Sequence, residues 1–194
     1  LERREADFRL GDEAHAAGLV LVEFDAEAPV ITMAQAREGP KVHPDLQSNV
    51  AMQTAPPRDP ALDDKLAQAP LLVSARFRHQ RVSQAPMEGR AILVDYARGT
   101  GEMTIYAATQ APHEVRLFCS RLLGIPEHRV RVIARDTGGG FGQKVVVQRD
   151  EMCMMLAARK VDAPVKWVED RIENLLSAGK SREECGTATM AFDA

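Results

Sequence analysis

The sequence predicts an α+β fold, with helices packed on a mixed sheet. Residues 72–107 hold three segments of strand character in close succession, and from Pro112 onward helix-period and strand-period segments alternate. Of the 194 residues, 45% are hydrophobic and 27% charged, enough apolar surface for one sizeable core. Three zones differ in texture. Residues 1–33 read as the tail of a preceding domain. Residues 34–71 read as a proline-rich connector, and residues 72–194 as the main unit.

In the first zone, residues 11–19 are expected to form a short helix and Val20–Phe24 a strand, too little for an independent core. The second zone carries Pro40, Pro44, Pro56, Pro57, Pro60 and Pro70. Each proline removes a backbone donor and fixes φ, so long regular elements are not expected there. Val42–Leu46, with Pro44 at its centre, is a turn candidate, and His43 reads as a loop residue.

The third zone begins with strands at Leu72–Arg81, Arg90–Tyr96 and Glu102–Ala107. Arg98-Gly99-Thr100-Gly101 supplies a hairpin turn between the last two. Pro112 opens a helix at a position where its missing N–H costs nothing. Val115, Phe118, Cys119 and Leu122 share one face of it, and Gly124 followed by Ile125-Pro126 ends it. Arg129–Arg135 is a strand, with Val130, Val132 and Ala134 on one face. A second helix, Gln148–Lys160, has acidic residues at its start and basic ones at its end, as the helix dipole favours. Its middle is apolar all round, which predicts burial on most sides. Pro164–Val168 is a strand, Glu169–Leu175 a short helix or turn, and Cys185–Phe192 a last strand.

Lys and Arg number 25 against 28 Asp and Glu, for a formal net charge of −3. That balance, with dispersed basic residues, argues against nucleic acid as a partner. No apolar run approaches the ~18 residues of a transmembrane segment, and Leu1–Glu5 lacks the apolar stretch of a signal peptide. Cys119, Cys153 and Cys185 form no close-spaced pair, and a reducing, cytoplasmic setting is expected. Cys119 and Cys153 lie in apolar helical patterns and read as small core residues.

The informative segment is Asp136-Thr137-Gly138-Gly139-Gly140-Phe141-Gly142-Gln143-Lys144, between a strand and a helix. Glycines at this density weaken regular structure by about 0.5–1 kcal/mol each relative to alanine. They are tolerated where the backbone needs φ > 0 or approaches something closely. Bare N–H groups in such a turn make an anion-binding nest, to which a following helix N-terminus would add positive charge. Two familiar phosphate templates fail: Gln143 stands where each requires a glycine, and Val145 where the phosphate loop needs Ser or Thr. Phe141 is expected either beneath the loop or as the wall of a pocket.

Gly138–Lys144 resembles the signature of the molybdenum hydroxylase large subunits, the xanthine oxidase, aldehyde oxidase and aerobic carbon monoxide dehydrogenase family. Thr109-Gln110-Ala111-Pro112-His113 with Arg116, and Leu123–Val130, resemble the family segment before the loop. Ser83–Arg90 resembles its start and Asp170–Leu175 its continuation. Order and spacing agree across residues 72–183.

The resemblance implies that residues 72–194 are the N-terminal part of a molybdopterin-binding domain in a larger subunit. It implies a molybdenum–molybdopterin cofactor, in the cytosine dinucleotide form of bacterial members, and oxidation of a small-molecule substrate with oxygen taken from water. Electrons would pass to iron–sulfur and FAD subunits or domains. By the same resemblance, Gln110 is the glutamine whose amide hydrogen-bonds an oxo ligand of the metal. Gly139, Gly140, Phe141 and Gly142 are the loop that approaches the cofactor. The chemistry agrees: neutral amide donors suit an oxo-anionic centre that must stay electrophilic. A helix-capping role for Gln110 is compatible with this.

Xanthine-type members have a glutamate directly after the loop lysine, where this chain has Val145. That favours an aldehyde oxidase-like or carbon monoxide dehydrogenase-like member. Lys144 is open between a structural ion pair and cofactor contact, while Glu88, Glu151 and Glu173 read as structural. No protein metal ligand and no catalytic residue is assigned. The family's general-base glutamate is expected beyond the end of this chain, which makes the chain a fragment that is inactive alone. A free-standing structural or assembly module of the same fold, without cofactor, is the alternative reading.

Overall fold

A computed structural model describes residues 18–55, 57 and 59–193. It divides into two compact units, Leu1–Arg58 and Asp59–Ala194. In the first, α1 (Met33–Glu38) starts at a capping box, in which the Thr32 hydroxyl accepts from the Gln35 N–H. The turn expected at Val42–Leu46 forms, with the Leu46 N–H donating to the His43 carbonyl at 3.1 Å. Asn49 fastens it by accepting from Val42 N–H and donating to the Pro40 carbonyl. Val20–Phe24 is not a strand. No described strand pairs with it, and an unpaired strand has no ladder to hold it. Residues 11–17 of the expected helix lie outside the described residues.

The second unit opens with α2 (Pro60–Gln68), capped by the Asp59 carboxylate, which accepts from Ala61 N–H. Both helices lie in the segment expected to lack long elements. They are short, and Pro60 sits at the first helical position, where proline starts a helix rather than breaking one.

The strands among the described residues are β1 (Leu71–Arg78), β2 (Arg81–Val82), β3 (Ala91–Ala97), β4 (Glu102–Ala107), β5 (Val130–Ile133), β6 (Val165–Val168), β7 (Ser181–Arg182) and β8 (Cys185–Phe192). β1 pairs antiparallel with β8, and β2 with β7. The four-stranded sheet runs β5-β4-β3-β6. It is mixed, because β4 and β5 are parallel while β3 is antiparallel to both its neighbours. The crossover from β4 to β5 is α3 (Pro112–Leu123). It ends at Gly124 with φ +66°.

One face of this sheet and two helices make the core. Ile92, Val94, Met103, Ile105 and Val130 pack with Val115, Cys119 and Leu123 of α3 and with Met155 and Ala158 of α4 (Arg149–Val161). The buried stripe of α3 differs from the expected one. Phe118 and Leu122 flank it, partly exposed, and Leu123 takes the inward position. α4 is likewise buried along one stripe, Glu151, Met155 and Ala158, rather than on most sides. It packs on β3 and β6, and its outer apolar surface stays open. Cys153 therefore is exposed, contrary to its expected place in the core, while Cys119 is fully buried. The β1–β8 ribbon is exposed along its whole length. No helix among the described residues is long and apolar enough to cross a membrane.

Candidate functional site

Strand directions gather the interesting residues. The start of β3 and the ends of β4, β5 and β6 lie at one end of the sheet. Ligands favour the crevice beyond the carboxyl ends of parallel strands, here β4 and β5. Glu88 precedes β3 by three residues, Gln110 follows β4 by three, and the glycine loop follows β5. Glu169 follows β6 directly, and Asn174 lies on α5 (Arg171–Ser177).

The segment after β4 is fixed to the loop through Lys144. The Lys144 carbonyl accepts from Gln110 N–H at 3.0 Å and from the Thr109 hydroxyl at 3.1 Å. Gln110 then turns its side chain onto the loop, and its Oε1 accepts from the N–H of Gly142 at 3.1 Å and of Lys144 at 3.3 Å. An amide oxygen engaged twice fixes the orientation of the whole group, so its two N–H donors point the other way. Among the described residues, nothing accepts from Gln110 Nε2. A Cβ at Gly140 would overlap the Gln110 carboxamide, so glycine is required there by close approach.

Five of the loop's N–H groups are engaged: Gly139 donates to the Thr137 carbonyl and Gln143 to the Gly140 carbonyl, Gly138 donates to Glu88, and Gly142 and Lys144 donate to Gln110. The N–H groups of Gly140 and Phe141 have no acceptor among the described residues. Gly139 and Gly142 take φ +93° and +88°. Phe141 also has a positive φ, +53°, and its side chain is 72% exposed. An aromatic held out in this backbone region marks stored strain of the kind found at ligand clamps. It therefore stands exposed rather than buried beneath the loop. The loop does not run straight into α4, which begins at Arg149, so the expected helix N-terminus is not adjacent in sequence.

The loop's far end is tied down by charge. Lys144 Nζ donates to Glu88 Oε2 at 2.7 Å with the Lys144 side chain fully buried. The Lys144 ammonium, with help from the Gly138 N–H, holds the Glu88 carboxyl below the usual carboxylate range against its partial burial. This settles Lys144 as one half of a structural ion pair. Gln143 is buried, and its Oε1 accepts from Asn174 Nδ2 at 2.9 Å. Its own Nε2 is buried without a partner. Asn174 Nδ2 also donates to Glu169 Oε2 at 2.7 Å, and Glu169 is paired with Arg90. Burial opposes ionisation of Glu169, but its bonds to Arg90 outweigh that and keep it below the ordinary range. The Arg90 guanidinium in turn lies 5.2 Å from the centroid of the Trp167 ring.

Sequence reasoning did not single out Thr109, Arg90, Glu169 or Asn174. A signal existed: Arg90 and Glu169 adjoin apolar strands that must be buried, where a charge persists only when paired. Among the described residues, no three His, Cys, Asp or Glu side chains converge to hold a metal ion. The donors left open at this end of the sheet are amides, a set that complements acceptor oxygens.

A mixed sheet carries a glycine loop and an outward amide at its open end, the fold of a cofactor-binding domain. Residues 42–194 match the molybdopterin cofactor-binding domain, and the chain belongs to that family. It is 44% identical over 133 residues to the nicotine 6-hydroxylase large subunit of Paenarthrobacter nicotinovorans, covering 69% of this chain and 16% of that one. It is 40% identical over 123 residues to the carbon monoxide dehydrogenase large chain of Hydrogenophaga pseudoflava, covering 63% and 15%. The crystal structure of quinoline 2-oxidoreductase from Pseudomonas putida 86 superposes with a TM-score of 0.83 at 35% identity, over 93% of this chain and 23% of that one. The chain thus spans about a sixth of the length of these curated relatives.

Proposed function

We propose that this chain supplies part of the cradle for a molybdenum–molybdopterin cofactor in an oxidoreductase. The intact enzyme would resemble aldehyde oxidase or carbon monoxide dehydrogenase. The observation that carries the reading is the orientation of Gln110. With Oε1 committed to Gly142 and Lys144, its Nε2 faces away from the loop as a neutral donor. Gly140 N–H and Phe141 N–H add two more donors. Gly139 and Gly142 contribute through the backbone turn that exposes them. A molybdenum centre presents oxo and pterin acceptors that match such donors, which bring no negative charge to an electrophilic metal. The bound cofactor would supply the redox chemistry. Gln110 would orient it by hydrogen bond, and Phe141 would screen one side from water.

The finer expectations belong to the same proposal. The cofactor is the cytosine dinucleotide form, electrons leave through iron–sulfur and FAD subunits or domains, and the enzyme works in the cytoplasm. Residues 72–194 would be the N-terminal part of the binding domain, after a preceding-domain tail (1–33) and a connector (34–71). The relatives named for nicotine, quinoline and carbon monoxide support a small carbon or N-heterocyclic substrate.

The test is molybdenum content and turnover of the full-length enzyme carrying Gln110→Ala. A folded variant with activity reduced on the order of 10²-fold is expected for loss of a preorganised donor. Unchanged activity and unchanged metal content would place Gln110 away from the cofactor.

A further inference from the structure

Glu88 ties together the two ends of the glycine loop. Its Oε2 accepts from the Gly138 N–H at 2.7 Å and from Lys144 Nζ at 2.7 Å. In return the Glu88 N–H donates to the Gly138 carbonyl at 3.2 Å. The approach is close: a Cβ at Gly138 would lie 2.6 Å from the Glu88 Cβ, so only glycine admits this contact. One carboxylate oxygen therefore fixes residues six apart in the loop, while the Gly140 and Phe141 N–H donors lie between them and Gln110 docks on the same stretch.

The clamp reaches Gln110 through Lys144. The Lys144 main chain donates to the Gln110 side chain and accepts from the Gln110 and Thr109 side of the partner loop. A buried ammonium must be paired, so Lys144 follows its carboxylate. Any shift of Glu88 would move Lys144, and Lys144 would carry the Gln110 amide with it.

We propose that Glu88 is a positioning residue for the cofactor: its clamp on Gly138 and Lys144 sets where the Gln110, Gly140 and Phe141 donors point. The proposal rests on the cradle reading above. Glu88 itself touches no reacting atom in this account. It acts as outer partners of metal sites do, where removal commonly costs about 10–100-fold in affinity or activity.

The experiment uses the full-length enzyme as wild type, Glu88→Ala, Glu88→Gln, and the double variant Glu88→Ala/Lys144→Met. Three quantities are read: melting temperature, molybdenum per polypeptide by mass spectrometry, and the electron paramagnetic resonance signal of the reduced enzyme. Glu88→Ala should melt lower, because it leaves the Lys144 charge buried and unpaired. The double variant removes that charge, so its melting temperature should return most of the way. Its molybdenum content should nevertheless stay about 10-fold low, or its resonance signal should be altered. Glu88→Gln keeps an acceptor for Gly138 and should recover part of the loading, to within about threefold of wild type but below it.

A double variant with wild-type metal content and wild-type signal would overturn the proposal while leaving the cradle reading intact. Should the double variant fail to fold, Glu88→Gln decides, and full loading with an unaltered signal overturns the proposal. Absence of molybdenum from the wild-type enzyme would overturn the cradle reading itself.

Discussion

Glu169 holds Arg90 at three points: Oε1 accepts from the guanidinium Nε at 2.9 Å and Nη2 at 2.5 Å, and Oε2 from the backbone N–H at 2.9 Å. Arg90 is 1% exposed and Glu169 5%. Burial opposes the charge of each, and the bonds between them outweigh it in both. Breaking such a pair from one side leaves an uncompensated charge, which costs about 3–5 kcal/mol. Asp150 Oδ2 also accepts from Arg90 Nη2 at 3.1 Å, so Glu169→Ala leaves the guanidinium one carboxylate and should lower the denaturation free energy by up to that amount, and it also strips Asn174 of one acceptor. A loss under about 1 kcal/mol, within the range of exposed pairs, would show that Arg90 finds water or another partner.

How much of this was legible in the sequence follows from the range of each interaction. Strands and helices of residues 72–194 follow local periodicity, and their order is that of the structure. The glycine loop stood out because glycines at that density are costly unless used, and Gln110 through the resemblance to the molybdenum hydroxylase family. The inward face of α3 was legible in part, at Val115 and Cys119, whereas that of α4 was not, because an all-round apolar helix leaves its inward face to tertiary packing. Val20–Phe24 has a strand's composition but no partner, a long-range fact that composition does not carry. The Glu88, Asn174 and Glu169 contacts join residues 31 to 79 positions apart, or bridge α5 to its preceding strand. Only the fold brings them to one end of the sheet.

Gly140→Ala tests the close approach at the loop. Its new methyl would overlap the Gln110 carboxamide, so the amide must move. Inserting one carbon into a packed site costs about 1–3 kcal/mol. Adding Gln110→Ala removes the obstacle, so the double variant should regain most of that stability. Its cofactor content should stay low, because the outward donor is gone. Calorimetry and molybdenum analysis of the full-length enzyme separate the two effects. Equal stability of the single variant and wild type would mean the loop has room that the geometry denies.

Acid should loosen the loop through Glu88. The Lys144 ammonium depresses its folded-state value below that of the unfolded chain. Folding therefore makes protonation harder, and the pair contributes fully above the unfolded carboxyl value of about 4.3. The contribution falls as pH drops through the lower, folded value. Denaturation free energies of wild type and Glu88→Gln should differ by a constant amount from about pH 7 to 5, and the difference should shrink as pH falls below the unfolded value of about 4.3. A gap that does not shrink at all as pH falls below the unfolded carboxyl value would mean the carboxylate is not held by Lys144.

Cys119 supplies a probe of the core. It is fully buried against β4, with its Sγ 3.3 Å from Met103 Sδ, and burial pushes its thiol up to about 11. Thiolate is the reactive form, so at about pH 8 only on the order of a thousandth of Cys119 would be ionised, and that fraction is inaccessible. In the native protein it should resist a maleimide or iodoacetamide that labels it once the chain is unfolded. Cys119→Ser should cost about 1–3 kcal/mol, because its hydroxyl would face sulfur and hydrocarbon without a partner. Protection should be lost at the same denaturant concentration as the helical signal of α3, since the two report one packing event. Rapid labelling before that midpoint would show α3 leaving the sheet independently, and the Gln110 segment just before it would then lack a fixed base.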